Sequence, residues 1–173
     1  MKYIGGKIRN QKCDFCLFED VFDSWNKELW PGRSSPIHAM SSLKWDDQLY
    51  LTTGEVLVTK DKNIFKKYTP VFFCIRDGAT HNIVGVNSGH KTDNGIYRSR
   101  GLWVHPNYRN NGLSRKLLEQ TIIQAQLESC TVIWTMPRAT SLYAYEKVGF
   151  EKIGEWTNKY EFGPNCIAIH QLL

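Results

Sequence analysis

Hydrophobic positions along this chain change period several times, and the changes mark the elements. Three runs, "PVFFCIR" (70–76), "IVGVNSG" (83–89) and "IYRSRGLWV" (96–104), carry the aromatic and β-branched residues that favour strands. The intervening "DGATHN" and "HKTDNG" read as turns, and Asn94-Gly95 is a strong hairpin dipeptide. An antiparallel meander is predicted. The spacing then becomes helical. Leu113, Leu117, Leu118, Ile122 and Ala125 share one face of a helix from about 113 to 128. "TVIWTM" (131–136) is a continuous apolar run that suits a buried parallel strand. A short helix follows over roughly 140–148, closed by Gly149 at a left-handed C-terminal position with Phe150 folding back. "FEKIGEW" (150–156) and "NCIAIHQLL" (165–173) supply the last strands.

The first 69 residues are less regular. One of "YIGGKI" and "CDFCLF" is a first strand. "EDVFDSWNKELW" places apolar residues at 21, 22, 25 and 29, a helical spacing, until Pro31-Gly32 stops it. A second helix is expected with Ser35 as cap, Pro36 at its first position, and Ile37, Met40 and Leu43 as its buried stripe. In 44–69, "GEVLVTK" looks strand-like and "DKNIFKKY" suits a short helix or loop. That stretch could be a lid, an insert or part of the sheet.

Composition bounds the rest. At 173 residues, 42% hydrophobic and 23% charged, the chain suits one globular domain over 1–173 with a sizeable core. The net charge of +5 favours anionic ligands. With 11 of the 22 Lys and Arg in residues 1–69 there is no basic tail, so the charge alone argues weakly for nucleic acid, which is not the expected partner. Five scattered Cys make no disulfide framework. Cys13-x-x-Cys16 has no second pair and no spaced His pair to complete a zinc site, so no metal is expected. "MKYIGGKIRN" lacks the apolar run of a signal peptide, and no stretch approaches the ~20 apolar residues of a membrane span. The chain reads as cytoplasmic.

Candidate chemistry gathers at "VHPNYRNNGLSRKLLEQ" (104–120), a strand, loop and helix junction. A helix's first turn leaves amide donors unpaired, and the helix dipole adds positive potential there. Gly112 removes a Cβ that would block close approach, and Arg109 and Arg115 flank it. That composition suits a pyrophosphate seat. It also suits a plain helix cap by Asn110 or Asn111 with Gly112 relieving a tight turn. Downstream, Leu142, Tyr145 and Val148 share one helical face, so Tyr145 points inward. A buried Tyr can be a packed aromatic or, beside a reactive centre, a proton donor.

Together the two segments resemble the GNAT superfamily of N-acetyltransferases. Val104-His105-Pro106 followed by Arg109-Asn110-Asn111-Gly112-Leu113-Ser114 is similar to its V-x-P and [R/Q]-x-x-G-x-[G/A] motifs. "RATSLYAYEKVGF" is similar to its N-x-x-A-x-x-L-Y-E-K-x-G-F segment. Ser114, Arg138 and Ser141 depart from it, standing where Gly or Ala, Asn and Ala are usual. The likeness spans about 70–156. It implies an α+β fold: a mixed, mostly antiparallel sheet, splayed open between two parallel strands, with helices on both faces. Residues 1–69 would form a helical acceptor-side region, 70–156 the CoA-binding core, and 157–173 a C-terminal strand.

The resemblance also implies a reaction, transfer of acetyl from acetyl-CoA to a primary amine without metal. Backbone groups of Leu102, Trp103 and Val104 would bind pantetheine like an added strand. Amides of Arg109, Asn110, Asn111, Gly112, Leu113 and Ser114 would hold the pyrophosphate, and Arg138 would meet phosphate or pantetheine. Val104 N–H would polarise the thioester carbonyl, and Tyr145 would protonate the leaving thiolate. No carboxylate occupies Tyr97, Arg98, Ser99 or Arg100, where some relatives carry a base. His90 has a suitable titration range but reads as a solvated turn residue. Trp30, Arg33 and His38 could line an acceptor pocket or simply pack a helical turn. Arg33, Arg98 and Arg100 would suit an acceptor bearing carboxylate or phosphate. The partner implied is a small-molecule or peptide amine, with room for a homodimer. The alternative is an inactive GNAT-like module that binds CoA, nucleic acid or protein.

Overall fold

The computed structural model describes residues 11–32, 40, 49–50, 56–58, 64–159 and 163–173. The predicted meander forms as β4 (Val71–Arg76), β5 (Ile83–Asp93) and β6 (Ile96–Val104), each antiparallel to the next. Strand β5 is longer than its hydrophobic run suggests. Turn chemistry is confined to Asn94-Gly95, where Gly95 takes a φ of 73°, so His90 and Lys91 stay in the ladder opposite Arg98 and Tyr97. His90 is therefore wholly buried in a strand, which corrects its reading as a solvated turn residue. The first strand is "CDFCLF": β1 (Cys13–Cys16) pairs antiparallel with β4 at one sheet edge. "YIGGKI" and the expected helix around Ser35, Ile37 and Leu43 lie outside the described residues, except Met40.

Helix α1 (Phe18–Asp23) continues as a π-helical turn over Ser24–Leu29. Val21, Trp25 and Leu29 recur every four residues, wider than the 3.6 of an α-helix. The looser π winding absorbs that excess and keeps all three on one buried face. Phe22, which the sequence counts into the stripe, stays 40% exposed. Residues 44–69 include a separate two-stranded sheet, β2 (Leu49–Tyr50) with β3 (Val56–Val58), and a short helix α2 (Ile64–Lys67).

Past β6, a 3-10 turn (Pro106–Tyr108) leads to α3 (Leu113–Leu127), β7 (Val132–Thr135), α4 (Leu142–Glu146), β8 (Glu151–Thr157) and β9 (Asn165–Gln171). The seven-stranded sheet runs β1-β4-β5-β6-β7-β9-β8, and β6 with β7 is its parallel pair. Alternate residues of β4 serve opposite faces. Phe73 and Ile75 cluster with Leu113 and Leu117 of α3, whereas Phe72 and Cys74 cluster with Val21 of α1 and with Trp25 and Leu29 of the π-helical turn. Helices thus cover both faces of a mixed sheet. On α3, Ile122 is only half-buried, and the polar Thr121 takes the fully buried position beside it.

Two irregularities shape the sheet centre. The β5–β6 register shifts between Val86 and Ser88, where Asn87 stands opposite a bulge in β6. Gly101 occupies that bulge with a φ of 78°, and a Cβ there would run into the Trp25 ring. Parallel pairing of β6 with β7 covers only Ile96–Arg98 against Val132–Trp134. Beyond those three pairs the strands part. Replacing Gly101 with Ala should cost roughly 2 kcal/mol or more, combining left-handed strain with overpacking against Trp25. Urea unfolding of the variant measures this, and an unchanged midpoint would contradict it.

Candidate active site

A cavity of about 800 Å³ opens where β6 and β7 diverge, a size typical of ligand clefts. Its floor is set by hydrogen-bond alternation in β6. His105 N–H donates to Val84 C=O at 2.8 Å, while Val104 stands opposite Gly85. That bond makes Gly85–Val104 a non-hydrogen-bonded pair of the ladder, so the N–H and C=O of Val104 face away from β5. They face the edge that β7 has left. By the same alternation Trp103 spends its backbone groups on Val86. The side chain of Arg109 returns to this edge, its Nε donating to Val104 C=O at 3.0 Å.

The cavity mouth is the N-terminus of α3. Neither Asn caps it. Gly112 is the N-cap residue, at φ 77°, and no side chain bonds the first-turn amides. Asn110 sits left-handed at φ 62°. Asn111 turns backward, its Nδ2 donating to Tyr108 C=O at 3.2 Å and Arg109 C=O at 2.9 Å. The cap reading of Asn110 or Asn111 is thereby corrected: Asn111 ties the loop and leaves the helix end open. A Cβ on Gly112 would meet no protein atom within 4 Å, so the open space is on the ligand side. Arg109, Asn110, Gly112, Leu113 and Ser114 line the cavity with Leu102, Trp103 and Val104; Asn111 does not.

At the inner end, Tyr145 is 3% exposed and lines the same cavity. Its ring packs edge-on against Phe150, 5.3 Å between centroids, as the Gly149 reversal allows. It shares the cavity wall with Ser99 and Thr135, the residues that follow the last β6–β7 pair on each strand. Burial pushes the phenol above its ordinary value, and these hydroxyls and the Arg98 charge oppose that rise. The group is protonated at neutral pH.

Residues 69–152 match the family described as the acetyltransferase (GNAT) domain. The chain carries a GNAT acetyltransferase domain. Solved structures agree in fold. An acetyltransferase from Bacillus cereus ATCC 14579 aligns at TM-score 0.54 and 17% identity, covering 65% of this chain and 79% of its own. A GNAT-family acetyltransferase from Staphylococcus aureus Mu50 aligns at 0.52 and 21%, covering 60% and 68%. An acetyltransferase from Streptococcus agalactiae 2603 aligns at 0.52 and 22%, covering 64% and 72%. Among curated proteins none matches the sequence.

The departures from the GNAT motifs have structural counterparts. Arg138 sits beyond β7 and reaches across the cleft, its Nη2 donating to Leu29 C=O at 2.6 Å. It joins the strand end to the carbonyl end of the π-helical turn, where a cation is favoured. Burial lowers its pKa. Ser141 Oγ donates to Arg138 C=O at 3.1 Å and so steadies the start of α4. Ser114 is half-buried in the first turn of α3.

On the opposite sheet face, Arg98 and Arg100 are both buried and line the GNAT cavity. Arg98 stacks on Trp134 at 4.6 Å, and Arg100 lies over Trp30 at 4.7 Å and donates to Met40 C=O. Arg33 and His38 lie outside the described residues. His90 is not on the cavity wall. The motifs did not point to Ser99, Thr135 or Glu28, all of which line it. Glu28 flanks the buried stripe of the π-helical turn, and that flank was the available signal. Among the described residues no group of three or more His, Cys, Asp or Glu converges as a metal site, and no helix is long and apolar enough to cross a membrane.

The loop before α3 is anchored from below. Tyr108 OH donates to Asp77 Oδ2 at 2.6 Å, and the amides of Ala79 and Thr80 donate to Asp77 Oδ1 at 2.9 and 2.8 Å. These bonds hold the Asp77 carboxyl well below the usual range. A depressed carboxylate stabilises fully above its unfolded pKa of about 3.9 and loses that stabilisation as pH falls further. The Asp77→Asn variant should therefore show a flatter decline of Tm below about pH 4 than the parent. Parallel Tm–pH curves for the two would refute the anchor.

Proposed function

We propose that this protein transfers acetyl from acetyl-CoA directly to a primary amine. One juxtaposition carries the reading: an uncapped helix N-terminus and a buried, protonated phenol share one cavity, joined by the unpaired edge of β6. Acetyl-CoA supplies an activated thioester and a thiolate leaving group. First-turn amides of Leu113 and Ser114, with Arg109 and the Gly112 opening, would hold the pyrophosphate. Leu102 and Val104 would meet pantetheine along the free strand edge, and Val104 N–H would donate to the thioester carbonyl oxygen as an oxyanion donor. Arg138, fastened to Leu29, would close the inner wall against pantetheine. Tyr145 would hold its proton at Oη and release it to the departing sulfur. Glu28, a carboxylate that lines the cavity, would receive the amine's proton through water. The acceptor would enter on the face of Trp30, Arg98 and Arg100. The absence of a membrane-spanning helix among the described residues is compatible with a cytoplasmic enzyme.

Acetyl-CoA at 100-fold its Kd should stabilise the protein by about 2.7 kcal/mol, a rise of a few degrees in Tm. Gly112→Glu should fold, with a lower Tm from its left-handed φ, and lose the shift entirely. No shift in the parent at saturating ligand would end the acetyl-CoA reading. Tyr145→Phe should lower kcat about 10²-fold in an amine-acceptor assay scored by CoA release. Its Kd for acetyl-CoA should stay within about twofold. Undiminished turnover would return Tyr145 to the core.

A further inference from the structure

A buried polar chain leads from α3 to the phenol, and its donors can be assigned without seeing hydrogens. Thr121 Oγ1 donates to Leu117 C=O at 2.9 Å, which uses its one proton. Towards Asn87 it can only accept, so the amide nitrogen of Asn87 must face it, at 2.8 Å. The same Nδ2 donates to Ser99 Oγ at 2.9 Å. Ser99 therefore accepts from Asn87 and keeps its own proton for another partner. Tyr145 lines the same cavity as Ser99 and Thr135, which lie side by side just past the last β6–β7 pair. Asn87, Ser99, Thr121 and Thr135 are each no more than 2% exposed, so water does not compete for these groups.

We propose that Ser99 and Thr135 donate hydrogen bonds to the Tyr145 oxygen as it gives up its proton, and that Asn87 fixes Ser99 in this donor orientation. Ser99, Thr135 and Asn87 are positioning residues, and the proposal rests on Tyr145 being the acid. In the step, the amine nitrogen forms its bond to the acetyl carbon and the carbon–sulfur bond breaks. Sulfur keeps the electron pair and takes the Tyr145 proton. The new amide sheds its surplus proton to water, and the phenolate recovers one from solvent. For that interval a negative oxygen exists in a dry site. Hydrogen bonds to a charged acceptor are about twice as strong as to a neutral one, so the two hydroxyls favour the departing proton more than the resting phenol. Arg98 acts in the same direction from the far face of the sheet.

The test uses two readouts on the full chain. In ligand-free protein labelled with fluorotyrosine, the Tyr145 resonance is identified by its loss in Tyr145→Phe, and its titration is followed by fluorine NMR. Thr135→Val preserves shape and removes the donor, so the Tyr145 pKa should rise; Thr135→Ser should restore it. Ser99→Ala should act likewise, although it strands an Asn87 donor and may be replaced by the valine variant if it folds poorly. In turnover, Thr135→Val should lower kcat about tenfold in the Tyr145 background and have no effect on kcat in the Tyr145→Phe background. An unmoved Tyr145 titration, or an equal loss in both backgrounds, overturns the proposal. Full activity of Tyr145→Phe itself overturns the acid reading instead, and so the two failures are told apart.

Discussion

The parting of β6 and β7 after three paired residues governs the rest of this molecule. A sheet that stops pairing in its interior leaves backbone donors and acceptors without partners, each costing on the order of 1–3 kcal/mol if buried dry. The chain answers this on both sides of the split. On the β6 side, Arg109 folds back to take Val104 C=O. On the β7 side, Asn165 Nδ2 donates to Met136 C=O at 3.1 Å. What stays open is the edge that would serve a ligand. The same split brings Tyr145 to one cavity wall with Ser99 and Thr135, so the opening and the proposed proton donor share one structural cause.

Much of this was legible in the chain, for identifiable reasons. The period change at Gly112, the unbroken apolar run of β7 and the Tyr145-to-Phe150 segment are local signals, and each element formed where its signal lies. The junction at 104–114 was ambiguous because Asn and Gly serve caps and phosphate loops equally. Side-chain direction excludes the Asn111 cap: Asn111 bonds backward to Tyr108 and Arg109, which no local propensity encodes. His90 was misread because "HKTDNG" is rich in turn formers. Pairing with Arg98 and Tyr97 across a two-residue turn outweighs that composition. Ser99, Thr135 and Asn87 were invisible because the role proposed for them depends on three strands and a helix meeting.

The two sheet faces at the split differ in how they treat charge. The α4 face is neutral and hydroxyl-rich, with Tyr145 as its only ionisable side chain in the polar chain described above. The α1 face carries Arg98 and Arg100 against Trp134 and Trp30. Guanidinium stacked on an indole face keeps its charge while losing water, which suits a buried wall. Period-two alternation along β6 imposes the separation: Ser99 must face α4 if Arg98 and Arg100 face α1. A single residue slip would put a guanidinium beside the phenol and a hydroxyl among the tryptophans.

Gly101 protects that register. A bulge adds a residue to one strand and shifts every later side chain, and here it falls between Arg100 and Leu102. Upstream, Arg98, Ser99 and Arg100 keep the alternation that sorts charge. Downstream, Leu102 and Val104 gain the phase that points Val104 N–H out of the ladder. Trp25 fills the space above Gly101, so the π-helical turn packs where the phase changes. Ser99, which shares the cavity with the phenol, and Val104, the proposed oxyanion donor, thus lie on one strand on either side of a single bulge. Their relation is set by the one position in β6 that only glycine fits.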